Sequence, residues 1–134
     1  MRVLALLALL LSPTQDVGVV YPGGEGPGKG KHIVFIAAEE SYRSEESMPL
    51  MARILSTHHG FKCTVLFAID PQDGTINPMV KDNIPGLEAL ETADLLVAFF
   101  RWRELPDAQM KRIIDYTESG KPILGIRNAT HPFK

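Results

Sequence analysis

The chain has 134 residues with 16 acidic and 14 basic side chains, giving a formal net charge of -2, and 45% of it is hydrophobic. That length holds one domain, and the weakly negative charge, without a basic run, argues against a nucleic-acid or acidic-membrane partner. A charged fraction of 22% is too low for a disordered tail, and the single cysteine excludes an internal disulfide framework or a cysteine-rich zinc site.

The first feature along the chain is address-like. Met1 and Arg2 give a short positive start, residues 3–11 are unbroken apolar, and Ser12-Pro13 ends the run. This is the layout of a secretory signal peptide, placed here at residues 1–20, and the run is too short to span a bilayer. Export to the periplasm or the exterior is the expectation, although no A-x-A cleavage pattern follows. A start assigned too far upstream would instead leave a cytoplasmic protein. Residues 21–30, YPGGEGPGKG, read as a glycine- and proline-rich linker. Gly23, Gly28 and Lys29 match a phosphate-binding G-x-x-x-x-G-K. Yet Gly30 stands where the magnesium-binding hydroxyl belongs, and the segment precedes a strand instead of following one.

An alternating β-α pattern then begins. Residues 33–38 (IVFIAA) form a continuous apolar run of strand length, the mark of a strand buried on both faces. After a polar loop, Ser47 is placed to cap a helix with Pro49 in its first turn, an apolar stripe of Leu50, Met51, Ile54 and Leu55, and a stop at Gly60. The second strand spans 63–69 (CTVLFAI), with Cys63 expected as a small buried hydrophobe. A turn-rich stretch over 70–85 leads to a short helix over 87–92 and a third strand over 94–100 (DLLVAFF). Pro106 opens an amphipathic helix carrying Met110, Ile113, Ile114 and Tyr116, which stops at Gly120, and 122–126 (PILGI) is the fourth strand. Strands alternating with helices predict an α/β class, with an open parallel sheet, helices on both faces and right-handed crossovers, flavodoxin-like in the broad sense. The chain stops at 131–134, where a further helix is expected, so 31–134 reads as the N-terminal half of such a domain, with apolar sheet surface left uncovered.

In open parallel sheets, ligands bind beyond the carboxyl ends of the strands. The residues that follow the four strands are Glu39, Glu40, Tyr42, Arg43 and Glu45; then Asp70; then Arg101, Trp102 and Arg103; then Arg127, Asn128 and His131. Convergence of carboxylates and guanidiniums there suits a polar ligand such as a sugar or carboxylate, with Trp102 as a stacking platform. Each charge taken alone is also readable as half of a solvated surface pair. His58 and His59 suit a helix C-terminus, and His32 sits at the opposite edge. No two histidines have metal-ligand spacing at the carboxyl edge, so neither a metal nor a cofactor is expected, and G-x-S-x-G is absent.

The segment KPILGIRNATH (121–131) resembles the strand and nucleophile elbow of class I glutamine amidotransferases, which typically read KPVLGICLGHQ. Arg127 stands at the cysteine position and Ala129 at the glycine that follows it, so the resemblance implies the fold without the thioester chemistry. Over 31–131 the chain is similar to the ThuA-like (trehalose-utilisation) branch of that superfamily. The similarity is carried by KHIVFIAAEESYRSEESMPLMARIL, HHGFKCTVLFAID, TADLLVAFFRWRELPDAQM and GKPILGIRNATH. It implies a context of sugar metabolism, often in exported proteins. Many such domains place a histidine near the elbow; here Arg127 occupies the turn and His131 lies four residues on.

Together these readings predict a carbohydrate-related small-molecule ligand held by Arg43, Arg101, Arg103 and Arg127, with Glu39, Glu40 or Glu45 as acid/base candidates. Two alternatives stand beside it. One is a non-catalytic interaction module or a fragment without independent function, and the other is a hydrolase of the amidotransferase-like superfamily. Oligomeric state is open.

Overall fold

The computed structural model describes residues 18–134, and the leader-like run at 3–11 lies outside them. A single sheet organises the rest. Its strands are β1 (Val19–Tyr21), β2 (His32–Ala38), β3 (Lys62–Phe67), β4 (Leu95–Phe100) and β5 (Ile123–Gly125). They lie in the order β1-β3-β2-β4-β5, parallel throughout except for β1, which runs antiparallel to β3. Helix α1 (Ser44–His59) covers one face. Helix α2 (Asp107–Glu118) and a 3-10 turn over Leu87–Thr92 cover the other. The α/β class and the mostly parallel sheet therefore stand as the sequence predicts.

The central strands are apolar on both sides because both sides are covered. In β2, Ile33, Phe35 and Ala37 pack with Met48 and Ala52 of α1, while Val34, Ile36 and Ala38 pack toward Ile113 and Tyr116 of α2. Phe35 stands opposite Val65 and Val97, so each layer of the core continues across three strands. Apolar burial of this kind, at about 25 cal/mol per Å², is the main force holding the domain together. Cys63 is fully buried in β3, where loss of solvation pushes its thiol up to about 11.

Three sequence expectations need correction. The sheet has five strands, not four: Val19–Tyr21, assigned to the end of a leader and the start of a linker, pairs with residues 63–65 of β3. Its two valines and tyrosine suit a half-exposed edge. The stretch 21–30 lacks regular structure beyond Tyr21, yet it is fastened to the end of α1. Gly23 N–H donates to Ser56 Oγ, Gly24 N–H to Gly60 O and Gly28 N–H to His59 O.

The third correction concerns α1. It starts at Ser44, and its N-cap is Arg43 in a left-handed conformation instead of Ser47. Ser44 is drawn into the helix by its hydroxyl, which bonds both the N–H and the C=O of Glu39. Pro49 consequently lies inside the helix, where it removes one intrahelical bond. The buried face is Ser44, Met48, Ala52 and Ser56, with Leu55 partly buried beside it. The expected stripe of Leu50, Met51 and Ile54 points outward. Small side chains let the helix lie close to the sheet, and that closeness prevails over the larger aliphatic residues.

The loop over 70–85 is ordered by its own bonds. Asp70 N–H donates to Thr75 O, Asn77 N–H to Ala68 O, and Ile84 is fully buried. In α2, Ile113 and Tyr116 are buried as predicted, whereas Ile114 is exposed. Ile123 and Leu124 of β5 are also exposed. Among the described residues no helix is long and apolar enough to cross a membrane.

Candidate functional site

The loops that leave the carboxyl ends of β2, β4 and β5 meet in one charged cluster. At its base lies Arg103, only 1% exposed despite its charge. Its Nε donates to Arg101 O at 2.7 Å, its Nη1 to Val80 O at 2.7 Å and Pro78 O at 3.2 Å, and its Nη2 to Glu40 Oε2 at 3.1 Å. Burial pushes its guanidinium below the ordinary arginine range, opposed by Glu40 and Glu39. A buried charge persists only when paired and hydrogen-bonded, and Arg103 meets both conditions. It ties the 70–85 loop to the sheet and has no face toward solvent.

Glu40 is the shared counter-charge. Besides Arg103 it receives Arg101 Nη2 at 3.0 Å and stands 2.9 Å from Lys81 Nζ. Burial alone would raise its carboxyl. The Lys81 ammonium beside it, its own backbone and the hydrogen bond from Arg101 instead hold it at about 2. It is therefore a fixed anion at physiological pH and has no proton to give as a general acid. Glu39 is fully buried behind it: Oε1 accepts Ser41 N–H at 2.9 Å, and Oε2 accepts Asn128 Nδ2 at 3.4 Å and lies 3.5 Å from Arg101 Nε.

Above this base sit two arginine–aromatic stacks. Arg101 lies over the Trp102 ring at 4.3 Å, and Arg127 over the Tyr42 ring at 3.9 Å. Arg101 also donates to Ser41 Oγ at 2.8 Å. Arg43 pairs with Glu46 on the exposed start of α1. Arg127 differs from these: among the described residues it is the one arginine of this edge whose guanidinium has neither a carboxylate partner nor a hydrogen bond.

Backbone strain gathers at the same edge. Among the described residues, the non-glycine positions with positive φ are Arg43 at 52°, Trp102 at 49° and Arg127 at 48°. Each costs on the order of 1–2 kcal/mol for an L-residue, and such costs concentrate where a side chain must be aimed. Trp102 is fixed by its N–H donating to His131 O at 2.9 Å, next to Arg103 N–H donating to Pro132 O at 2.8 Å. The end of the chain thus lies beside β4's exit, with Phe133 against Phe100 at 5.6 Å between ring centres. Arg127 begins a 3-10 turn (Arg127–Thr130) directly after β5.

Of the sequence candidates, then, Glu39, Glu40, Arg101 and Arg103 form the cluster, while Tyr42, Trp102 and Arg127 form its exposed rim. Arg43, Glu45 and His131 do not join them. Glu45 Oε2 is closed off from solvent without a partner, and the His131 ring is exposed, its Nδ1 2.9 Å from Thr130 Oγ1. Sequence reading missed Lys81, Ser41 and Ser44 as members. Asn128 was placed at the edge without a role. Lys81 gives no local signal, since it arrives from a long irregular loop.

A cleft of about 370 Å³ at the opposite edge is lined by the glycine-rich loop with Lys29, Lys31, Lys62 and His32. It is not a phosphate loop. The N–H groups of Gly23, Gly24, Gly28, Lys29 and Lys31 already donate within the protein, and Lys29 Nζ pairs with Glu25 at 2.5 Å. Nor is any group of three His, Cys, Asp or Glu side chains among the described residues placed to hold a metal ion. No family model, curated protein or solved structure matches the chain.

Proposed function

We propose that this chain is a ThuA-like domain of the class I glutamine amidotransferase-like superfamily that binds a carbohydrate-related ligand carrying an anionic group at the carboxyl edge of the sheet. The observation that carries the reading is Arg127. Its guanidinium is stacked on Tyr42 and otherwise unpaired, beside a cluster in which Arg101 and Arg103 are both paired with Glu40. A planar cation held by an aromatic ring is preorganised for a carboxylate or phosphate oxygen. Trp102, 43% exposed, offers an apolar ring for a sugar face.

The superfamily assignment draws support from the local geometry at 123–130. A strand, a left-handed residue and a helical turn follow one another there, which is the form of a nucleophile elbow. With arginine at the turn, the elbow presents a cation and no nucleophile. Cys63 does not substitute for one, because it is buried with a raised pKa.

The test is ligand-detected NMR of the full chain against neutral sugars, sugar acids and sugar phosphates. Binding of the anionic members is expected, weakened about tenfold or more in Arg127→Ala, as befits the loss of a charged hydrogen bond. Absence of binding, or equal binding by the variant, sinks the assignment.

A further inference from the structure

We infer that Phe133 is a positioning residue for the rim: seated against Phe100, it closes a strap over residues 131–134 that holds both Trp102 and Arg127 in their left-handed positions. The inference rests on the proposed ligand site, whose rim those two residues form.

The strap resumes the pairing of β4 and β5 after an interruption. The regular ladder ends with Ala98 opposite Gly125, and Ile126 N–H still donates to Ala98 O at 2.9 Å. Pairing returns in the same parallel sense with Arg103 opposite Phe133. Between those rungs one segment advances five residues (98 to 103) and the other eight (125 to 133). The 3-10 turn over Arg127–Thr130 takes up the three extra residues. Trp102 and Arg127, with φ of 49° and 48°, therefore lie on the two arms of one closed circuit. A left-handed L-residue persists only where its surroundings over-determine it. Opening the far rung would release both at once.

Three backbone bonds hold that rung: Trp102 N–H donates to His131 O at 2.9 Å, Arg103 N–H to Pro132 O at 2.8 Å and Lys134 N–H to Arg103 O at 3.3 Å. The Phe133 ring packs against the core on the α2 side, 5.6 Å from that of Phe100. Ala129 of the turn touches the same core. The pair of Lys134 with Glu104 is exposed and adds little. Water competes for backbone bonds near the surface, so the apolar contact of Phe133 is what keeps them in register. With the strap closed, the Trp102 ring and the Arg127 guanidinium are set before a ligand arrives, and binding is spared the cost of ordering them.

Trp102 is the only tryptophan of the chain, so its fluorescence reports the strap without any ligand. In the full chain, Phe133→Ala should raise acrylamide quenching of Trp102 about twofold and lower its anisotropy, as the ring gains motion. Phe133→Leu keeps a large apolar side chain and should restore the parent values. Lys134→Pro leaves the core untouched and removes the N–H given to Arg103 O. It should give the same change in smaller measure, whereas Lys134→Ala loses only the exposed pair and should give none. Lys134→Pro decides if circular dichroism shows that Phe133→Ala does not fold. Glucuronate is the probe for the rim itself: Phe133→Ala should bind it about tenfold more weakly than the parent, with Phe133→Leu close to the parent. Unchanged quenching in Phe133→Ala and Lys134→Pro overturns the strap. Equal glucuronate affinity alongside a freed Trp102 overturns the positioning role. The fluorescence arm uses no sugar, so a failure of the strap is told apart from a failure of the proposed ligand site.

Discussion

The two edges of the sheet are both dense in hydrogen bonds, yet they are built to different ends. At the amino edge, glycines take the unusual backbone angles, with Gly23, Gly26, Gly30 and Gly60 all at positive φ. Their loop closes the end of α1 through backbone bonds. His32 is equally self-contained: one ring nitrogen lies 3.0 Å from Thr92 Oγ1 and the other 2.9 Å from Thr64 Oγ1. Burial, and then Lys62, lower its pKa, so it sits there as a neutral hydrogen-bonding spacer. At the carboxyl edge the same left-handed angles fall on Arg43, Trp102 and Arg127, where no glycine relieves them. At the amino edge the loop N–H groups and His32 are satisfied within the protein, whereas the carboxyl edge holds side chains in strained positions, Arg127 among them without a carboxylate partner. On the proposed function, the difference separates a structural edge from an edge arranged for a ligand.

The largest effect should come from breaking the base of the carboxyl edge. Glu40→Gln leaves Arg103 buried beside a neutral amide, and losing one partner of a buried pair costs about 3 kcal/mol. Urea unfolding measures it. The pH dependence gives a sharper version. Glu40 is held at about 2, against 4.5 for an unperturbed glutamate. As pH falls from about 4.5 to about 2, the unfolded chain takes up a proton that the native state refuses. The contribution of Glu40 is therefore complete above that window and lost within it. In Glu40→Gln the curve of stability against pH should be flatter between those values. An unchanged slope would mean that the cluster does not hold the carboxylate ionised.

An intermediate effect is expected at the amino edge. At Gly23, with φ 79°, an added Cβ would stand 2.6 Å from Gly60 O and 2.7 Å from Lys62 N, both rigid backbone atoms. Gly23→Ala should cost about 2–3 kcal/mol from strain and overlap together, read as a lower melting temperature. Ligand binding at the far edge should be unaltered. A change in binding would show that the two edges are coupled.

How much of this could be read in advance follows from which forces are local. Strands β2, β3 and β4 announce themselves, because burial on both faces demands unbroken apolar runs such as IVFIAA, and local composition records that demand. The residues at the strand ends were placed at the right edge for the same reason: topology puts them there once the strands are parallel. What was not legible depends on distant partners. Nothing near Arg103 reveals that Pro78 O and Val80 O wait for it, so it resembled a surface ligand contact when it is a buried tie. Lys81 reaches Glu40 from across the loop for the same reason. The inward face of α1 was misjudged because size suggested Leu50 and Ile54, whereas close approach to the sheet selected Ala52 and Ser56. Short β1 was hidden because three residues beside a leader-like segment carry no period of their own.

The smallest expected effect tests whether the strain at the carboxyl edge serves a purpose. Arg127 occupies a left-handed position that glycine would adopt freely. Arg127→Gly should recover about 1 kcal/mol of backbone strain and lose about 0.5–1 kcal/mol of stacking on Tyr42. Glycine's extra freedom in the unfolded chain offsets part of the gain. The melting temperature should therefore barely move, while the anionic ligand should no longer bind. A stability cost well above 1 kcal/mol would instead make Arg127 a structural residue like Arg103, and the contrast between the two edges would lose its clearest member.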